Sequence, residues 1–116
     1  MASQIDGPVR NFTASGAITA FMLVKLSAAN TVAANTVGAA PIGIAQKTVA
    51  DGEQVPVRML GKDHSCKATA DKVITVNTAL YAAADGEVSD ASSGTTIGFN
   101  LEAAAAGGDV IECWLY

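Results

Sequence analysis

The chain has 116 residues, half of them apolar, with 11 acidic against 7 basic side chains and a net charge of −4. That length fits one compact domain, or two halves sharing a core, since a unit of about 55 residues is marginal alone. The basic residues are scattered rather than clustered, which excludes the Lys/Arg surface that a phosphate backbone demands; no nucleic acid partner is expected. No stretch approaches the roughly 20 apolar residues of a membrane span, and residues 1–8 lack the basic and apolar regions of an export signal.

Residues 1–11 carry no repeat pattern and read as an N-terminal arm, ordered only when an assembly holds it. Ile5, Val9, Arg10 and Phe12 are candidate contacts there, because such a segment can add a strand to a neighbour's exposed edge; a disordered tail is the alternative. A period-2 run follows, with Ile18, Ala20, Met22, Val24 and Leu26 on one side of a predicted strand. The Ala content argues for helix, but recurring Thr, Val, Asn and Gly leave segments too short for a stable one. Residues 27–40 are turn-rich, with Val32 marking a short strand. Ile42-Gly43-Ile44-Ala45 reads as a short buried strand whose Gly implies a close backbone approach or a bulge. After a turn over residues 48–53, a closing strand spans residues 54–60. Pro56 has no N–H to donate, so this strand is expected at an edge or a bulge.

Residues 12–60 then reappear, offset by 56 positions, as residues 68–116. Phe12-Thr13-Ala14 aligns with Ala68-Thr69-Ala70, Ile18 with Ile74, Val32 with Val88, and Gly38 with Gly94. After a one-residue slip, Ile42-Gly43-Ile44 matches Ile97-Gly98-Phe99; the register returns with Val55, Val57 and Met59 against Ile111, Cys113 and Leu115. The second copy repeats the alternation as Ile74, Val76, Thr78, Leu80 and Ala82, and Asp85-Gly86 is a hairpin-turn signal. The expected fold is all-β: a small β-barrel or sandwich of about eight short strands with pseudo-two-fold halves, 12–60 and 68–116, in a single β domain over 12–116.

Chemistry is sparse. Asp63, His64 and Cys66 offer a carboxylate, a base and a nucleophile, but three neighbours on one loop rarely converge as a triad. The same loop lacks ligands for a tetrahedral metal site without a distant Cys113. Asp51, Glu53, Asp85, Glu87, Asp90 and Asp109 lie at Gly-containing turns, where carboxylates satisfy the turn backbone. Gly107-Gly108 lacks a Lys-Ser/Thr ending and precedes a strand, so it is no phosphate loop. These readings predict no enzyme, no catalytic residue, no metal and no cofactor. Cys113 matches Val57 and reads as core; Cys66 lies in a polar segment and is expected to be exposed. Both are expected as reduced thiols. Asp71-Lys72-Val73 loosely resembles the modified tripeptide of lipoyl and biotinyl carrier domains, although its flanks differ from theirs.

The copies diverge at the last strand. Its outward face reads Gln54, Pro56, Arg58 in the first copy, but Val110, Glu112, Trp114, Tyr116 in the second. Trp114 and Tyr116 are therefore candidate contacts: either anchors of a subunit interface or a local cover, with Trp114 closing the end of its own barrel or packing beneath the N-terminal arm.

The Ile-Gly-Ile-Ala strand at 42–45, the turn Ala50-Asp51-Gly52-Glu53, and Val55-Pro56-Val57 recur in degraded form at 97–100, 106–109 and 111–113. Together with residues 74–81 and Asp85-Gly86-Glu87-Val88, they resemble the small capsid decoration (cement) proteins of tailed bacteriophages. The resemblance implies a non-enzymatic β protein that binds the outer surface of the mature icosahedral head and stabilises it. It also implies the major capsid protein as partner, self-association as a homotrimer, an N-terminal arm that contacts the capsid, and a place on the virion's outer surface after synthesis in the host cytoplasm. The alternatives are a phage spike, fibre-type or carbohydrate-binding module, and a lipoyl/biotinyl-like carrier domain.

Overall fold

The computed structural model describes residues 9–61 and 64–116 and contains ten strands. β1 (Val9–Ala14), β2 (Leu23–Ala28), β3 (Thr31–Ala34), β4 (Gly43–Ala45) and β5 (Gln54–Met59) form a closed barrel in the order β1-β3-β2-β4-β5. β6 (Cys66–Thr69), β7 (Ala79–Ala82), β8 (Val88–Ser89), β9 (Gly98–Asn100) and β10 (Val110–Leu115) make a sheet in the order β6-β10-β9-β7-β8. Its two ends meet only through a parallel bridge, Ala70 to Val88. The first barrel closes at the equivalent pair, Ala14 to Val32, and adds a second pair, Thr13 to Thr31, that the second sheet lacks.

The repeat reaches individual hydrogen bonds. Ala14 N–H donates to Glu53 C=O and Ala70 N–H to Asp109 C=O, both at 2.9 Å. Ile18 exchanges two bonds with Val49, as Ile74 does with Ala104. At Asp85 and Gly86 the backbone is left-handed (φ 56° and 72°), and the turn joins β7 to β8 as the Asp-Gly signal requires. The glycines of the Ile-Gly strands mark close approach: a Cβ on Gly43 would lie 2.5 Å from Arg58 O, and one on Gly98 2.1 Å from Trp114 O.

Several expectations change. The run from Ile18 to Leu26 is not one strand, because Phe21 is left-handed (φ 65°) and β2 begins only at Leu23; Asn77 (φ 58°) breaks the second copy at the same repeat position. Val9, Arg10 and Asn11, read as arm, belong to β1 and pair with Arg58, Val57 and Pro56 of β5. Pro56 is not on an edge, since β5 lies between β1 and β4. It is tolerated because β4 pairs only as far as Val57; beyond it, Gln46 N–H reaches back to Pro56 C=O at 2.8 Å. In extended backbone a residue's nitrogen and carbonyl face the same side, so the missing donor falls where the ladder stops.

There are two cores rather than one. Phe12, Ala14, Ile18, Val24, Val32, Ala45, Val49, Val55 and Val57 fill the first barrel. The second core holds Ile74, Leu80, Val88, Ile97, Ile111, Cys113 and Leu115, joined by Leu23 and Ile44 of the first unit, with Leu60 packed against it. Leu23 and Ile44 alternate with the inward Val24 and Ala45, so they point out of their own barrel and into the next. Cys66 is buried as well (6% exposed). Its polar neighbours suggested otherwise, but it shares an inward face with Ala68 and Ala70.

Candidate interaction surface

The joint between the units is made by backbone as much as by side chains. Thr69 N–H donates to Phe21 C=O (3.1 Å), Gly86 N–H to Asn35 C=O (3.0 Å), and Gly38 N–H to Ala82 C=O (3.2 Å). A Cβ on Gly86 would come within 1.9 Å of Met22 Cγ, so only Gly lets the second unit sit this close. Beside the joint lies a cleft of about 390 Å³, walled by Phe21, Gln46, Arg58, Lys67 and Glu112. Arg58 Nε donates to Ser65 C=O (3.0 Å), and Ser65 Oγ to Glu112 Oε2 (2.6 Å). These bonds tie the inter-unit loop to both closing strands.

The second unit presents a different outer surface. Trp114 on β10 lies opposite Phe99 on β9, which lies opposite Ala79 on β7. Trp114 and Phe99 are half-buried and Ala79 is exposed, so the three form a cross-strand row facing away from the core. Tyr116, 49% exposed, follows the end of β10 and lines a cavity of about 180 Å³ with Gly38, Pro41 and Thr96. Leu101 and Val110 are exposed on neighbouring strand ends.

The sequence-derived contacts separate. Trp114 lies on this face, and Tyr116 lies beside Gly38 and Pro41 of the first unit. Val9 is exposed and Arg10 half-buried on β1, where Arg10 lies 4.7 Å from the Phe12 ring centroid and bonds Asn30 Oδ1. The Phe12 side chain is in the first core and has no surface to offer a partner. Ile5 lies outside the described residues. Phe99 and Ala79 were missed, although the repeat aligned Phe99 with Ile44 and so placed an aromatic where the first copy has an aliphatic.

The polar groups do structural work. Asp51 accepts from Gly16 N–H (2.8 Å), Glu53 from Ala50 N–H (2.6 Å), and Asp109 from Ala105 and Ala106 N–H (2.9 and 3.2 Å). Lys72 pairs with Asp90 at 2.9 Å, and that bond raises the lysine's pKa. Partial burial raises the Glu87 pKa, helped by Asp71 and Asp85. Burial pushes the Cys66 thiol up to about 11 and Cys113 to about 12, so neither supplies a thiolate at neutral pH. His64 Nε2 lies 2.7 Å from the Met59 carbonyl oxygen, within hydrogen-bond distance. Among the described residues no group of three or more His, Cys, Asp or Glu side chains could hold a metal ion.

No curated protein sequence matches the chain. Among solved structures, the fold is similar to the N base of head fiber gp8.5 of bacteriophage phi29, with a TM-score of 0.78 at 19% identity over 93% of this chain and 92% of that one. At that identity the likeness speaks for the fold alone. A sequence model of the family described as phage cement protein matches residues 5–115, nearly the whole length, and the chain belongs to that family.

Proposed function

We propose that the protein decorates the head of a tailed phage, binding the outer surface of the mature icosahedral shell and stabilising it. The coarser statement, a phage virion structural protein, follows from the family; the match over residues 5–115 is the observation that carries the reading. The major capsid protein is the partner, the outer capsid surface the location, the host cytoplasm the place of synthesis, and a homotrimer the assembled form. A net charge of −4 suits a surface turned away from packaged DNA. A decoration protein stabilises a shell by mass action, because it binds the assembled lattice and not the dissociated subunits. Several copies joined together let weak single contacts suffice. Asp51, Glu53 and Asp109 serve turns and the two thiols lie in the core, consistent with a non-enzymatic role.

The test is co-sedimentation of purified protein with expanded and unexpanded capsids of its own phage. Pelleting with expanded capsids alone is expected; failure to pellet with them removes the reading. A second reading is a fibre foot on the same surface, the kind of protein whose fold this chain shares. Electron microscopy of decorated heads separates the two: compact knobs fit decoration, and projecting filaments fit a fibre.

A further inference from the structure

The two units use unlike faces at their joint. The first contributes Phe21, Leu23, Asn35 and Ile44; the second receives them with Thr69, Ala82 and Gly86, while the repeat equivalents Gly38 and Gly94 touch each other at the edge of the joint. Each face has a counterpart one repeat away that lies outside the joint among the described residues. Leu23 and Ile44, both 0% exposed, correspond to Ala79 and Phe99, which lie in the outward row with Trp114. On the receiving side, Ala82 is 2% exposed, while its first-unit counterpart Leu26 is 54% exposed.

The differences between the copies agree with the contact the second unit is free to make. Thr69 gives its N–H to Phe21 across the joint, and the second sheet stays open there to admit Leu23 and Ile44. Its counterpart Thr13 gives its N–H to Asn30 within the first unit, and β1 pairs with β3 to shut that barrel. A closed barrel cannot take an inserted Leu. The donating face of the second unit has Ala79 where the first has Leu23, and the broad rings of Phe99 and Trp114 in place of Ile44 and Arg58. The inserting residue is gone and a flat aromatic surface stands instead. Half-exposed aromatics side by side are favoured at interface centres.

We propose that the Ala79–Phe99–Trp114 face of one chain docks on the Leu26 face of the first unit of a second copy, continuing the internal joint from molecule to molecule. The contact is heterologous, each copy offering one face of each kind. The proposal rests on the self-association in the proposed function, not on capsid binding.

Sedimentation of wild type, Trp114→Asp and Leu26→Asp over a concentration series tests it. Wild type forms a discrete oligomer. Each variant, folded by circular dichroism, falls to the single-chain mass of 11.7 kDa. Mixed in equal amounts, the two variants form a dimer, because the intact aromatic face of one meets the intact Leu26 face of the other. Phe99→Ser replaces Trp114→Asp if the latter does not fold. A monomeric wild type, variants that assemble like wild type, or a mixture that stays monomeric would each overturn the proposal. If Trp114→Asp keeps its oligomer and loses only capsid co-sedimentation, the face belongs to the capsid and the inference fails while the proposed function stands. Loss of capsid binding by wild type with the mixing pattern intact is the reverse.

Discussion

Replacing Ile44 by Ala asks how much the joint contributes to stability. In an isolated barrel Ile44 would face solvent, and its loss would cost little. Here it is 0% exposed and packed among second-unit residues. Ile→Ala removes three carbons; at about 0.8 kcal/mol per buried CH₂ the transfer contribution is about 2.4 kcal/mol. A residual cavity brings the total to about 3–4 kcal/mol, within the usual range for such truncations. For a chain of this length that lowers Tm by roughly 15 °C. Phe99→Ala, the same repeat position in the second unit, should cost about 1–1.5 kcal/mol in dilute solution, since its ring is already half in water. Urea unfolding of both variants at low protein concentration reads the difference. A cost below about 1 kcal/mol for Ile44→Ala would refute the joint as described.

Three further outcomes follow from particular residues. Gly98→Ala forces a Cβ within 2.1 Å of Trp114 O at φ +149°, and should cost about 3 kcal/mol from strain and overpacking together, seen as a loss of thermal stability. Cys66 and Cys113 hold their protons more tightly folded than unfolded, up to about 11 and about 12 against a reference of 9.0. Their contribution is therefore complete below about pH 9 and lost as pH rises through 11 to 12. The urea midpoint should fall over that window, and native thiols should resist alkylation at pH 8 until denaturant is added; rapid native labelling would contradict their burial. Lys72→Ala should leave the midpoint unchanged, because its pair with Asp90 is exposed, and intact mass should equal that of the unmodified chain; a lysine adduct would revive the carrier alternative.

Much of the architecture was legible because the repeat is a physical constraint twice imposed. Val55, Val57, Ile111 and Cys113 alternate inward, and the glycines at 43 and 98 mark real backbone contacts. What escaped lies where local pattern and tertiary context part. Nothing in the sequence marks Phe21 for a left-handed backbone, since bulky residues rarely adopt one. Val9 to Asn11 looked unpaired because their partners on β5 are more than forty residues away. Cys66 was judged by charged neighbours instead of by its parity with Ala68. Of the surface, Trp114 and Tyr116 stood out as aromatics on an outward face, whereas Phe99 and Leu26 gain meaning only when the buried state of their repeat counterparts is known.

The most direct measurement of the central claim is a cryo-electron microscopy reconstruction of mature heads with and without the protein. Decoration predicts added density on the outer face of the shell, with lobes matching a two-unit body about 42 Å long, present on expanded heads and absent from unexpanded ones. No added density, or density on the inner face against the DNA, would contradict it.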